Sequence, residues 1–275
     1  MAVSGCLAAI KITAGLMGHS YAVVADGLES AGDVFASGLV LLGLTLAAKP
    51  ADWNHPYGHG RAETVSGLFV GFMLAFVGLG IAVTALRHVG AVTPPPADYV
   101  VWPLIASALA KSVLSGVKFH VGKRIRSTAL MADAWNDSVD ILSAMAALVA
   151  VSLTLVAPHR FPSADHWGAF AVGLIVIFTG LRVTRDTTLQ LMDTMPDSAT
   201  MANVRNVARS VPGVRGVEKC YARKTGLQYH VDLHLEVDPE ITVRESHDIA
   251  THVRIVIKET LPWVADVLVH VEPAP

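Results

Sequence analysis

Apolar runs close to the ~20 residues that an α-helix needs to cross a hydrocarbon core dominate the chain up to about residue 190. Six spans are expected, at 3–17 extended by its flanks, 20–47, 64–88, 99–120, 129–156 and 166–190. Inside a bilayer every backbone polar group must find a partner within the protein, so such runs fold as helices. The reading is an α-helical membrane protein with six transmembrane helices. Composition agrees: 52% of the 275 residues are hydrophobic and 16% are charged, against about 25% charged in soluble domains. The first run is short, as in a chain that begins inside its first helix. It contains Lys11 and lacks a basic leader, so no cleavable signal peptide is expected. Cys6 and Cys220 lie in dissimilar segments and suggest no disulfide framework. With a net charge of −2 and no basic cluster interleaved with aromatics, nothing points to nucleic acid.

Beyond residue 196 the long apolar runs stop and charge rises. "PDSATMANVRNVARSVPGV" reads as a capped amphipathic helix running into a turn. "LQYHVDLHLEV" alternates strictly, with Val231, Leu233, Leu235 and Val237 on one face and His230, Asp232, His234 and Glu236 on the other. A helix over 243–260 and a strand over 266–272 complete an αββαβ order, an α+β metallochaperone-like domain with two helices on one face of a small sheet. The division expected is a membrane domain over 1–192 and a soluble domain over 196–275. Lysine and arginine mark the sides. With both termini inside, inner loops and helix ends hold Lys49, Arg61, Lys118, Lys123, Arg124, Arg126, Arg182 and Arg185, and outer ones only Arg87 and Arg160. The termini and the soluble domain are therefore expected in the cytoplasm, with the chain in the inner or plasma membrane.

The apolar run at 20–47 carries a contradiction in "YAVVADGLESAGDVFASGLVLLGL": Asp26, Glu29 and Asp33. Spacings of three, four and seven put all three on one helix face, and a carboxylate near the bilayer centre costs roughly 2.5–3.5 kcal/mol on insertion scales. A second run, "STALMADAWNDSVDILSAMAALV", repeats the spacing with Asp133, Asn136 and Asp140. The second and fifth spans run antiparallel, so Glu29, Asp33, Asn136 and Asp140 can surround one cation, whose charge offsets the burial cost. Against this stands pairing of the carboxylates with Lys11 or Lys111, or their protonation. Two matched triplets favour the cation site. Asp26 and Asp133 keep two readings of equal weight, as way stations for a hydrated ion or as helix-interface residues.

Two further clusters lie outside the spans. In "KPADWNHPYGHGRAE", Asp52, His55 and His59 bring one carboxylate and two imidazoles within eight residues, a set suited to Zn2+ or a similar ion; a turn-rich loop with surface histidines is the plainer alternative. In the tail, His234, His247, His270 and Glu272 are candidate ligands, set against an ordinary solvated sheet face.

These motifs together resemble the cation diffusion facilitator family, from about residue 5 to the end: the acidic motif of the second span, "HPYGHGRAE", the fifth-span motif, six spans and the αββαβ tail. The resemblance implies a homodimeric antiporter that moves divalent transition metals (Zn2+, Fe2+ or Mn2+) out of the cytosol in exchange for protons. Carried over by position, it implies a transport site at Glu29, Asp33, Asn136 and Asp140, a loop site at Asp52, His55 and His59, and a tail site at His234, His247, His270 and Glu272. It also implies an interlock in which Arg61 pairs with Asp193. No cofactor is required; metal is cargo and, at the outlying sites, a regulator. The chain departs from zinc-transporting relatives in having no imidazole at the transport site, and all-oxygen ligation suits harder ions such as Mn2+. With asparagine at 136, the exchanged proton falls to Glu29, Asp33 or Asp140.

Other functions fit less well. A passive channel needs a continuous polar path rather than one compact cluster. An intramembrane metalloenzyme lacks HExxH or any nucleophile–base arrangement. A transport-impaired membrane sensor or scaffold, using the loop and tail sites, is the alternative that Asn136 keeps open.

Overall fold

The structure is a computed structural model describing residues 2–91, 94–125 and 128–275, the side chains of 2, 3, 122, 125, 128–130, 132 and 133 excepted. Arg126 and the Asp133 side chain therefore lie outside the described residues. The elements are α1 (Ala2–Met17), α2 (Tyr21–Ala47), α3 (Arg61–His88), α4 (Val101–Ile125), α5 (Thr128–Val156), α6 (Ala164–Leu191), α7 (Ser198–Arg209), β1 (Gly216–Thr225), β2 (Gln228–Val237), α8 (Val243–Thr260) and β3 (Val264–Pro273). Among the described residues, α2 to α6 are long and apolar enough to cross a membrane, and α1 is a shorter apolar helix of 16 residues that makes the sixth. Two compact units are resolved: Met1–Leu39 with Phe69–Thr184, and Val40–Leu68 with Arg185–Pro275.

In the first unit the core is thin, as expected for helices that face lipid: Val23, Val100, Leu104, Val151 and Val172 are fully buried, while Phe35, Phe69, Phe76 and Phe178 are exposed. What joins α3 to α6 is the absence of side chains. A Cβ on Gly180 would lie 2.5 Å from the Ala75 nitrogen, and one on Gly78 would lie 2.7 Å from the Ile177 nitrogen. Gly71 and Gly78 on α3, and Gly173 and Gly180 on α6, recur every seven residues and let the two backbones meet. Gly180→Ala is accordingly expected to lower stability by about 1–3 kcal/mol, the usual range for overpacking, read as an earlier thermal unfolding transition in detergent. The N-terminus of α2 is held by Asp165 at the start of α6. Asp165 accepts from Ser20 Oγ at 2.6 Å and from the backbone nitrogens of Tyr21 and Ala22, so donors that a helix start leaves without partners end on a carboxylate.

In the second unit, Asp197 caps α7 by accepting from Thr200 N, and Thr242 with Glu245 forms a capping box at α8. The sheet order is β1-β2-β3. β1 and β2 are antiparallel, joined by a two-residue turn with Gly226 at φ 65°; β2 and β3 are parallel, joined through α8. Met201, Val204 and Ala208 of α7 and Val253 and Ile257 of α8 pack with Val231, Leu233, Leu235 and Val237. Strict alternation along β2 leaves His230, Asp232, His234 and Glu236 on the other face.

Candidate transport and metal sites

Three carboxylates lie near one another in the first unit, linked through Lys111 and Ser143 rather than oxygen to oxygen. Glu29 is 5% exposed, Asp140 9%, and Asp33 is half-buried. Ser143 on α5 donates to Glu29 Oε1 at 2.7 Å, fixing the register in which α2 and α5 face each other. Glu29 Oε2 is buried and has no hydrogen-bond partner among the described residues. A buried polar atom without a partner calls for an explanation, and here it lies beside two more carboxylates. A lysine stands among them: Lys111 Nζ on α4 is 2.8 Å from Asp140 Oδ2 and 3.7 Å from Asp33 Oδ2. Thus, of the two readings set against each other in sequence, lysine pairing is the one seen at Asp33 and Asp140, and among the described residues Glu29, Asp33 and Asp140 are not a group whose ligand atoms all lie within 4.8 Å of one another.

Asp26 is placed differently. It is 2% exposed, and Lys11, itself 1% exposed, lies 2.7 Å from its Oδ2 and donates to Ser30 Oγ at 2.8 Å. This pair ties α1 to α2 and favours the helix-interface reading of Asp26. Asn136 is not drawn into the buried cluster. It is exposed, one turn before Asp140, whereas Glu29 meets Ser143 on the opposite side of Asp140 along α5. Next to it, Asp137 pairs with Lys118 at 2.6 Å.

In the second unit, the loop residues Asp52, His55 and His59 meet, with ligand atoms all within 4.8 Å of one another. The Asp52 carboxylate is 3.0 Å from His55 Nδ1 and 3.5 Å from His59 Nε2. The backbone N–H of His55 donates to it at 2.7 Å, and this bond above all holds Asp52 below the usual carboxylate range. Any stability drawn from that shift is present at neutral pH and lost only as pH falls through the lowered value, so Asp52 meets a cation as the ionised ligand. The loop lies against the sheet: the Tyr57 ring has the Arg223 guanidinium 5.6 Å from its centre and the His230 ring edge-on at 6.1 Å.

His234, His270 and Glu272 form the other cluster. The parallel register pairs His234 with His270 across β2 and β3, and the rings are 5.0 Å apart. Hydrogen bonds with Glu218 and His234 hold Glu272 below the usual carboxylate range. His247 is exposed on α8 and outside this group. The reason is topological: α8 covers the Val231–Val237 face, whereas His234 points the other way. Glu218 on β1, 3.9 Å from His234 Nδ1, is a neighbour that sequence spacing missed, because its strand has an irregular register between Val217 and Cys220.

Arg61 and Asp193 pair at 2.8 Å. Both are half exposed, so the bond belongs with surface pairs worth about 0–1 kcal/mol. Arg61→Gln is expected to change unfolding stability by less than about 1 kcal/mol, and a marked shift in thermal unfolding would give the pair a larger structural part.

Comparison with known proteins identifies the family. Residues 1–192 match the sequence model of the cation efflux transmembrane domain, and residues 196–274 match that of the cation efflux protein cytoplasmic domain, a dimerising domain. "Manganese efflux system protein MneP" of Bacillus subtilis is 31% identical over 97% of this chain and 91% of its own length. "Uncharacterized transporter YdbO" of the same organism is 32% identical over 97% and 91%. "Magnetosome protein MamB" of Paramagnetospirillum magneticum is 29% identical over 98% and 90%. With both domains matched in order along nearly the whole chain, the protein belongs to the cation diffusion facilitator family and is a multi-pass membrane transporter of metal cations, not an enzyme.

Proposed function

We propose that the protein is a homodimeric antiporter that exports divalent transition-metal cations from the cytoplasm in exchange for protons, with Mn2+ the preferred cargo. The observation that carries this is the buried Glu29, with Oε2 lacking a partner among the described residues, set near Asp140 through Ser143 while Lys111 bridges Asp140 to Asp33. Burial favours the neutral form of a carboxyl and a nearby cation favours the ionised form, so such a cluster trades protons for metal. Asn136, one turn away, is the ligand that would join when the helices shift. The donors are all oxygen, which suits Mn2+ better than an imidazole-bearing site does, and the similar protein MneP carries manganese efflux in its name.

In this reading residues 1–192 form the membrane domain and 196–275 a cytoplasmic domain, with both termini inside. Asp52, His55 and His59, and His234, His270 and Glu272, bind regulatory metal, and Arg61 with Asp193 forms the interlock. Asp26 serves α1–α2 packing rather than the pathway. The test is flux into proteoliposomes under an imposed pH gradient, with Mn2+, Fe2+, Zn2+ and Cd2+ compared. Saturable, gradient-driven flux led by Mn2+ supports the proposal. Metal bound without flux of any ion would favour a membrane sensor built on the loop and tail sites.

A further inference from the structure

Lys111 has no part in a cation site made of carboxylates alone, yet it is the nearest charged group to two of them. Its ammonium stands 2.8 Å from Asp140 Oδ2 and 3.7 Å from Asp33 Oδ2, bridging α4 to both α2 and α5. The other buried lysine, Lys11, is engaged with Asp26 and Ser30 and so is not the cation that serves this cluster. Lys111 is less enclosed than Lys11: its side chain is 21% exposed, against 1%. The four-carbon stem is flexible and the ammonium is a compact point charge, so the group can leave the carboxylates without unpacking a helix.

We propose that Lys111 is a tethered counter-cation of the transport site. Its ammonium takes the place of the metal between Asp33 and Asp140 once the cargo has left, and an arriving metal displaces it. The proposal rests on the reading of Asp33 and Asp140 as transport ligands. Its physical content is competition. Asp33 and Asp140, held close by one lysine with the buried Glu29 nearby, are costly in hydrocarbon without a positive charge. A lysine supplies that charge on a short tether, at a high local concentration. The metal must then bind against the ion pair it breaks, which weakens affinity, and on release the returning ammonium helps to expel it, which speeds turnover. A ligand bound too tightly leaves too slowly, so weaker binding and faster export come from the same group.

Lys111→Gln removes the charge and keeps a polar group of similar length; Lys111→Arg keeps the charge. Both are made in the full chain carrying His55→Ala, His59→Ala, His234→Ala and His270→Ala, so that bound Mn2+ reports the intramembrane cluster. Mn2+ binding is read by electron paramagnetic resonance in nanodiscs at one fixed pH, and flux in proteoliposomes gives KM and the maximal rate. Lys111→Gln is expected to bind Mn2+ about tenfold more tightly, a change of about 1.4 kcal/mol, with a lower KM and a lower maximal rate, and Lys111→Arg is expected to stay near the parent. A merely structural lysine would lose binding and rate together. Binding that is unchanged or weaker in Lys111→Gln overturns the proposal, provided Asp33→Asn with Asp140→Asn abolishes binding in the same background. If that carboxylate pair is dispensable for binding, the transport-site reading itself has failed, and the counter-cation falls with it.

Discussion

Asp140→Asn is expected to lower metal flux by about 100-fold or more, equivalent to about 2.7 kcal/mol in the barrier. The carboxylate is 9% exposed, shares Lys111 with Asp33, and lies one turn from Ser143, which donates to Glu29. At an effective dielectric of about 20, unit charges 4 Å apart interact by about 4 kcal/mol, and a divalent ion doubles the charge on one side, so removing one carboxylate leaves the ion short of more than it regains by partial hydration. Asparagine keeps the volume and one oxygen, which separates loss of charge from loss of packing. Lys111 loses its 2.8 Å partner but keeps Asp33, so the protein should still purify as a single species. Flux at a saturating metal concentration, compared with the unaltered chain at equal protein density, is the readout. Near-normal flux would remove Asp140 from the transport site.

Lys11→Met should have the largest effect on stability. Lys11 is 1% exposed and its ammonium is 2.7 Å from Asp26, itself 2% exposed. Removing one partner of a buried ion pair leaves the other charge uncompensated, at about 3–5 kcal/mol. Replacing both by apolar residues of similar volume is often neutral or stabilising. Lys11→Met with Asp26→Leu is therefore expected to recover most of what the single variant loses, measured by thermal unfolding in nanodiscs. The same double variant separates the two readings of Asp26: retained flux marks a structural pair, and lost flux in a stable protein marks a pathway residue.

Much of this arrangement is legible in the residues because helices and strands impose fixed periods. A spacing of four puts Glu29 and Asp33 on one face of α2, and period two separates Val231–Val237 from His230–Glu236 along β2. Depth and partner choice do not follow from period. Asn136 stands four residues before Asp140, as Glu29 stands before Asp33, yet Asn136 is exposed and Glu29 buried. His247 has a plausible place in sequence, yet the helix that carries it packs on the apolar face of the sheet, opposite His234. Lys11 and Lys111 were both visible as partners, but which carboxylate each meets depends on helix rotation: Lys11 meets Asp26, and Lys111 bridges Asp33 and Asp140. The seven-residue glycine spacing on α3 and α6 has meaning only when the two helices are set side by side, since either one alone reads as ordinary apolar sequence. Asp165 was hidden for a similar reason, because its partners Ser20, Tyr21 and Ala22 are more than 140 positions away.

The exchange of metal for protons is tested most directly by following both in the same vesicles. Proteoliposomes holding a pH-sensitive dye are given Mn2+ outside with no initial pH difference, and metal entry and internal pH are recorded together. The expected result is saturable Mn2+ entry with alkalinisation of the interior in a fixed ratio to it, as protons leave against the entering metal, with both signals lost in Asp140→Asn. Mn2+ entry at an unchanged internal pH would contradict proton exchange.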